Sequence, residues 1–126
     1  QFIGENNTMK GTVKSINESY CEVELEDGHI VKALKVNIDG IGSQTQLSVR
    51  PERVTVNVAN TTNVNNITGK VEELIYLGDH IRVRLQACGN DQFIVKIPNE
   101  GKVTFTQGDI INLSWKAEDI RALDHQ

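Results

Sequence analysis

The side chains best suited to nucleophilic, general-base or metal chemistry in this 126-residue chain are His29, His80, His125, Cys21 and Cys88. A nucleophilic site needs a serine or cysteine beside a histidine base that an acid orients. No Gly-x-Ser-x-Gly elbow singles out a serine; His29 and His80 stand among turn residues, and His125 lies at the terminus. Asp79-His80 offers two metal donors after Leu77-Gly78, but without an HxH, HExxH or EF-hand spacing, so a loop between strands is expected there. Cys21 and Cys88 match no CxxC or Cys/His ligand spacing and read as small core or half-buried residues. No Gly-x-x-x-x-Gly-Lys-Ser/Thr loop is present to cradle nucleotide phosphates. Asp39-Gly40-Ile41-Gly42 has too few glycines for a dinucleotide turn and reads as an ordinary one. The residues themselves therefore nominate no catalytic group, metal or cofactor.

Charge narrows the partners. The formal net charge is −4, which supplies no attraction towards a phosphate backbone. Lys32, Lys35, Lys96, Lys102 and Lys116 are scattered among acids. Most of the aromatics, Phe2, Tyr20, Tyr76, Phe93, Phe105 and Trp115, alternate with aliphatic neighbours and read as core rather than as stacking platforms, so no nucleic acid is expected as a partner. No stretch approaches the roughly 18 consecutive apolar residues of a membrane-spanning helix. Five Asn-x-Ser/Thr triplets begin at Asn6, Asn17, Asn60, Asn66 and Asn112, a number that twelve asparagines make expected by chance. The chain opens Gln1-Phe2-Ile3-Gly4, as an excised piece of a longer protein would.

The elements that must position these residues are strands. Tyr20, Cys21, Val23 and Leu25, then Asp27-Gly28, then Ile30, Val31, Ala33 and Leu34 form the pattern of a tight hairpin. Val54, Val56 and Val58 alternate with polar residues, as do Ile81, Val83 and Leu85, and the run Phe93 to Ile97 ends at Pro98. About ten short strands are expected and almost no helix beyond a turn near Ala117 to Ile120, hence an all-β barrel or sandwich.

The halves of the chain repeat each other. Gly11-Thr12-Val13 matches Gly69-Lys70-Val71 at an offset of 58, and Glu22-Val23-Glu24-Leu25 matches Arg82-Val83-Arg84-Leu85 at an offset of 60. Leu47-Ser48-Val49-Arg50-Pro51-Glu52 matches Leu113-Ser114-Trp115-Lys116-Ala117-Glu118 at an offset of 66, the added six residues being assigned to a longer loop around Gly89-Asn90. Each unit, about 50 residues, is marginal alone and is expected to pack on its twin, giving two tandem OB-like small barrels. The expected map is a junction at 1–8, a first repeat at 9–58, an exposed Asn-rich connector at 59–66, and a second repeat with a tail at 67–126. Glu22 and Glu24 of the first repeat face Arg82 and Arg84 in the alignment, which suggests surfaces that meet between repeats or across a dimer.

Several of these segments resemble a known family. Phe2-Ile3-Gly4-Glu5-Asn6-Asn7, Leu47-Ser48-Val49-Arg50-Pro51-Glu52-Arg53-Val54, Gly69-Lys70-Val71 with Tyr76-Leu77-Gly78, and Trp115-Lys116-Ala117-Glu118-Asp119 are similar to the transport-associated OB (TOBE) region of the ATP-binding subunits of ABC importers, most closely the spermidine/putrescine type. Ala117 stands where that family usually has proline, which loosens the last turn. The resemblance implies a non-catalytic, regulatory and dimer-stabilising domain at the cytoplasmic face of the plasma membrane. ATP and Mg would belong to a missing ATPase domain. Its partners would be a second ATPase subunit and membrane-spanning permease subunits. Within it, Arg50 and Glu52 are the candidate interface pair, because a strand ending in Arg-Pro-Glu fixes a turn and presents two opposite charges at a sheet edge. The alternative is a small-ligand sensor, taking an oxyanion between barrels or a polyamine on the acidic Glu22-Glu24-Glu26-Asp27 edge.

Overall fold

A computed structural model describes residues 6–57, 65–100 and 103–124. Alternation of apolar and polar residues becomes alternation of burial: β1 (Asn7–Ile16) buries Asn7, Met9, Gly11 and Val13 and exposes Thr8, Lys10 and Lys14. β2 (Tyr20–Leu25) turns Val23 and Leu25 inward and joins β3 (Ile30–Asn37) through the Asp27-Gly28 turn, where Gly28 takes φ 93°. β4 (Gln44–Val49), a 3-10 turn (Pro51–Arg53) and β5 (Thr55–Val56) complete the first repeat. The second runs β6 (Asn65–Tyr76), β7 (His80–Ala87), β8 (Asn90–Pro98), β9 (Ile110–Trp115), a second 3-10 turn (Ala117–Asp119) and β10 (Ile120–Asp124). The protein is all-β, as its periodicity indicated.

The repeats are visible in fine detail. Each long first strand carries a bulge at the matching place, between Val13 and Ser15 in β1 and between Val71 and Glu73 in β6. Gly11 and Gly69 serve close approach: a Cβ on Gly11 would lie 2.5 Å from Val23 Cγ1 and 2.6 Å from the Glu24 carbonyl oxygen, and one on Gly69 would lie 3.2 Å from Ala87 Cβ. The six-residue lengthening of the second repeat is divided. Val23 pairs with Val31 and Val83 with Val95, so the offset reaches 64 by β8, and the rest enters between β8 and β9.

The sheets do not follow chain order. β10 pairs antiparallel with β4 (Ile120 opposite Val49, Ala122 opposite Leu47) and parallel with β3, closing a barrel of order β1-β2-β3-β10-β4. β5 crosses the other way and pairs with β9, Thr55 opposite Ser114 and Val56 opposite Leu113, at the edge of a five-stranded sheet of order β5-β9-β6-β7-β8. Each repeat thus completes the other's sheet with its own last strand. The second sheet is a half-barrel rather than a closed one: β5 has two residues where β10 has five.

Two buried asparagines lock the exchange. Asn7 in β1 gives its amide N–H to the Ile94 carbonyl of β8 (2.7 Å) and accepts the Ile94 N–H (2.7 Å). Asn65 in β6 does the same to Lys32 of β3, at 2.8 Å in both directions. A carboxamide has the donor and acceptor of a peptide group, so each side chain acts as one extra rung on the free edge of a strand in the other repeat. Asn65 was expected in an exposed connector; it is buried in β6, and Asn66 is also a strand residue. Residues 59–64 of that connector, residue 58 before it, and 1–5 of the expected junction lie outside the described residues.

One core runs through both sheets, with Val23, Leu47, Ile81, Leu85, Phe93, Leu113, Trp115 and Ile120 fully enclosed. Replacing Asn7 by Leu strands the buried Ile94 N–H and C=O, with an expected cost of about 2–4 kcal/mol. Asn65→Leu is expected to cost less, because Lys32 is only half-buried and water reaches its backbone more readily. Urea denaturation of both variants checks the order; a change within about 0.5 kcal/mol for Asn7→Leu would remove the lock from the account.

Candidate functional site

The strand exchange brings the two 3-10 turns together, and arginines collect where they cross. Arg50 follows β4 and leads into the first turn, Arg53 ends that turn, and Arg121, in β10, lies opposite Ser48 of β4. With Asn6, Ser48, Glu118 and Asp119 they line a cleft of about 200 Å³. The Arg53 guanidinium stands 3.9 Å from the Asp119 carboxylate, linking the first turn to the second. Among the described residues Arg50 and Arg121 have no side-chain hydrogen bond or ion pair, and both guanidiniums line the cleft. That arrangement suits a carboxylate, phosphate or other oxyanion.

The residues expected from the sequence are only partly gathered here. Arg50 lines the cleft; Glu52 is exposed on the first turn, does not line it and forms no ion pair with Arg50. Pro51 is buried at the start of that turn, so Arg-Pro-Glu does fix the chain's direction. The acids and arginines of the matched strands do not meet within the chain, because β2 and β7 belong to different sheets. Glu22 accepts a 2.8 Å hydrogen bond from Ser15, Glu24 pairs with Lys14 at 3.2 Å, and Arg84 reaches Glu73 at 3.5 Å and the Asp91 carbonyl at 3.1 Å. Arg82 is half-buried on β7. Sequence reading missed Arg53, Arg121, Glu118 and Asp119. The signal was the offset of 66, which sets Arg53 against Asp119 and the exchange strands against each other.

Elsewhere the polar groups are local. His29 Nδ1 stands 2.9 Å from Asp27 Oδ2, and His80 Nδ1 is 2.9 Å from Asp79 Oδ1. The hydrogen bond to His80 and then its charge hold the Asp79 carboxyl below the usual range. No group of three His, Cys, Asp or Glu side chains converges among the described residues. Phe93 and Trp115 are core, their rings 6.1 Å apart, and Phe105 packs against it. Tyr76 departs from that reading: it is 62% exposed. It rims a depression of about 530 Å³ with Glu72, Glu73 and Phe105. Lys32 lies 5.2 Å from the Tyr20 ring centre.

The fold and cleft define a β-barrel module built from two intertwined repeats, with three arginines at the crossing. Residues 47–123 match the model of the TOBE domain, and the chain belongs to that family. It is 26% identical over 129 residues to the spermidine/putrescine import ATP-binding protein PotA of Trichodesmium erythraeum, covering 97% of this chain and 34% of that protein. The protein of the same name from Pseudomonas aeruginosa strain UCBPP-PA14 is 28% identical over 120 residues, covering 91% and 33%. The chain thus spans about a third of the length of these relatives. In three dimensions it superposes on the cytoplasmic molybdate-binding protein ModG, solved with molybdate bound, with a TM-score of 0.82 at 16% identity, over 94% of this chain and 96% of that one. That likeness establishes the fold.

Both cysteines are free and buried, Cys21 in β2 and Cys88 in the turn between β7 and β8. Burial, then the nearby Asp27 charge, pushes the Cys88 thiol up from 9.0 to about 12. A folded-state value above the unfolded one means the unfolded chain loses this proton first. The contribution of Cys88 to stability is therefore complete below about pH 9 and is lost as pH rises towards 12. Urea midpoints at pH 8 and pH 10.5 should fall further for the native chain than for Cys88→Ala. Equal losses would mean that the thiol is not shielded in the folded protein.

Proposed function

We propose that this chain is the regulatory and dimer-stabilising domain of the ATP-binding subunit of an ABC importer, with polyamines as the transported solute. The observation that supports it is the alignment of nearly the whole chain with a third of the spermidine/putrescine import ATP-binding proteins, together with the family match. In this reading ATP and Mg are handled by an ATPase domain outside this chain. The partners are a second ATP-binding subunit and the permease subunits, and the complex sits at the cytoplasmic face of the plasma membrane. Arg50 and Glu52 at the first turn supply the contact with the partner subunit or the ATPase domain. In the intact importer, Arg50→Glu and Glu52→Gln are expected to reduce recovery of the paired ATP-binding subunits and to alter regulation of transport, with nucleotide binding unchanged. Assembly and regulated transport at native levels in both variants would reject this role.

A second reading, a small-ligand sensor, is favoured by one observation: Arg50, directly after β4 of the first repeat, and Arg121, in β10 of the second, reach the same cleft. An oxyanion there would tie β4 to the exchanged strand β10. A polyamine would instead be drawn to the Glu22-Glu24-Glu26-Asp27 edge. Thermal unfolding with molybdate, sulfate, spermidine and putrescine separates these. A ligand at a hundredfold excess over its Kd adds about 2.7 kcal/mol to folding stability. Stabilisation by an oxyanion that disappears in Arg50→Ala with Arg121→Ala supports the cleft. No stabilisation by any of the four removes the sensor reading.

A further inference from the structure

A second cleft, away from the arginines, lies between the repeats where the β2–β3 hairpin leans over the β6–β9 face. It encloses about 320 Å³, at the small end of the roughly 300–1,000 Å³ typical of ligand sites. Its floor is made by two of the Asn-x-Ser/Thr triplets that the sequence raised only as chance motifs. On a strand such a triplet places its Asn and its Ser or Thr on one face. β6 and β9 pair so that Asn66 stands opposite Ser114 and Thr68 opposite Asn112. The result is a two-by-two grid of amides and hydroxyls, with neighbours about 5 Å apart across the strands and about 7 Å along them.

The grid is held from behind. Ser114 is buried and its hydroxyl lies 2.7 Å from that of Thr55. The Asn112 backbone is clamped by Asn57, through its side-chain oxygen at 3.0 Å and its backbone N–H at 2.9 Å. Asn65, one residue before Asn66, fixes β3 and with it the overhanging hairpin. From that hairpin His29 completes the lining, its Nδ1 engaged by Asp27, whose other oxygen takes the His29 N–H at 3.1 Å. Thr68 and Asn112 are exposed, and among the described residues their side chains have no protein partner. Among the described residues no lysine, arginine, aspartate or glutamate lines the cleft.

We propose that this cleft binds a small, uncharged, polyhydroxylated ligand. Amides and hydroxyls donate and accept in pairs, as vicinal hydroxyls do, and the described lining carries no Lys, Arg, Asp or Glu to select an ion. The cleft related to it by the repeat shows the contrast. There the β7–β8 hairpin overhangs β1 and β4, and Lys10, Glu26 and Asp91 bring charge to the lining.

The test is a nitrogen-15 NMR titration of the whole 126-residue chain with myo-inositol, sorbitol, glucose and trehalose, and with sulfate as the anionic control. Saturable shifts at His29, Asn66, Thr68, Asn112 and Ser114 with at least one of the four polyols are expected. They should be lost in Thr68→Val with Asn112→Leu, variants whose thermal unfolding shows them folded. His29→Gln, which keeps a donor and an acceptor, should weaken but not abolish binding. Absence of saturable shifts with all four polyols, saturation by sulfate alone, or shifts that persist in the double variant would each overturn the proposal.

Discussion

Everything in this domain hangs on the exchange of the last strand between repeats. A unit of about 50 residues buries only enough surface to be marginal alone. Here the shortfall is met by trading strands rather than by simply stacking two finished barrels. β10 closes the first barrel and β5 extends the second sheet, so pulling the repeats apart would open both sheets at once. The Asn7 and Asn65 carboxamides reinforce the trade by filling backbone positions that would otherwise be left bare on β8 and β3. The repeats are therefore fixed relative to each other by hydrogen bonds whose loss carries a full desolvation penalty, and not by apolar contact alone.

Much of this was legible in the residues. Strict alternation in β2 and β7, the Asp27-Gly28 turn, and the pairing of Gly11 with Gly69 gave the strands, a hairpin and the repeat, because each depends on local geometry. The exchange was not legible. Leu-Ser-Val-Arg-Pro-Glu and its counterpart say that a strand ends and a turn follows, but which sheet the next strand joins is decided by contacts distant in sequence. Asn65 was misplaced for the same reason: in a run of asparagines its polarity reads as exposure, and only the facing Lys32 backbone explains its burial. Tyr76 misled in the other direction, since its place at the end of a strand leaves its ring on the rim. For the site, Arg50 was nominated from its motif, whereas Arg53 and Arg121 acquire meaning only once the turns cross.

The repeats have diverged most where symmetry would have closed the second barrel. Asn57, directly after β5, takes φ 51° and spends both its amide and its backbone on Asn112, so the strand stops after two residues. A left-handed conformation is tolerable for asparagine and poor for a β-branched residue, which ties the stop to this side chain. The counterpart of Asn57 at the offset of 66 is Leu123, inside β10, where the strand continues.

The same crossing decides where an external contact would be felt. In a chain of net charge −4, Arg50 and Arg121, which have no ion pair among the described residues, stand on different repeats, Arg50 directly after β4 and Arg121 on the adjacent strand β10. A carboxylate or oxyanion bridging them would act on the exchanged strand itself, and so on closure of the barrel. A contact confined to Glu22 and Glu24, which already have partners on their own sheet, would act on one repeat only. Coupling between two surfaces requires an element whose free energy both can bias. In this fold β10 and the two 3-10 turns touch both repeats and the cleft, and for that reason the crossing, rather than either outer sheet face, is where a partner subunit or a ligand would gain influence over the whole domain.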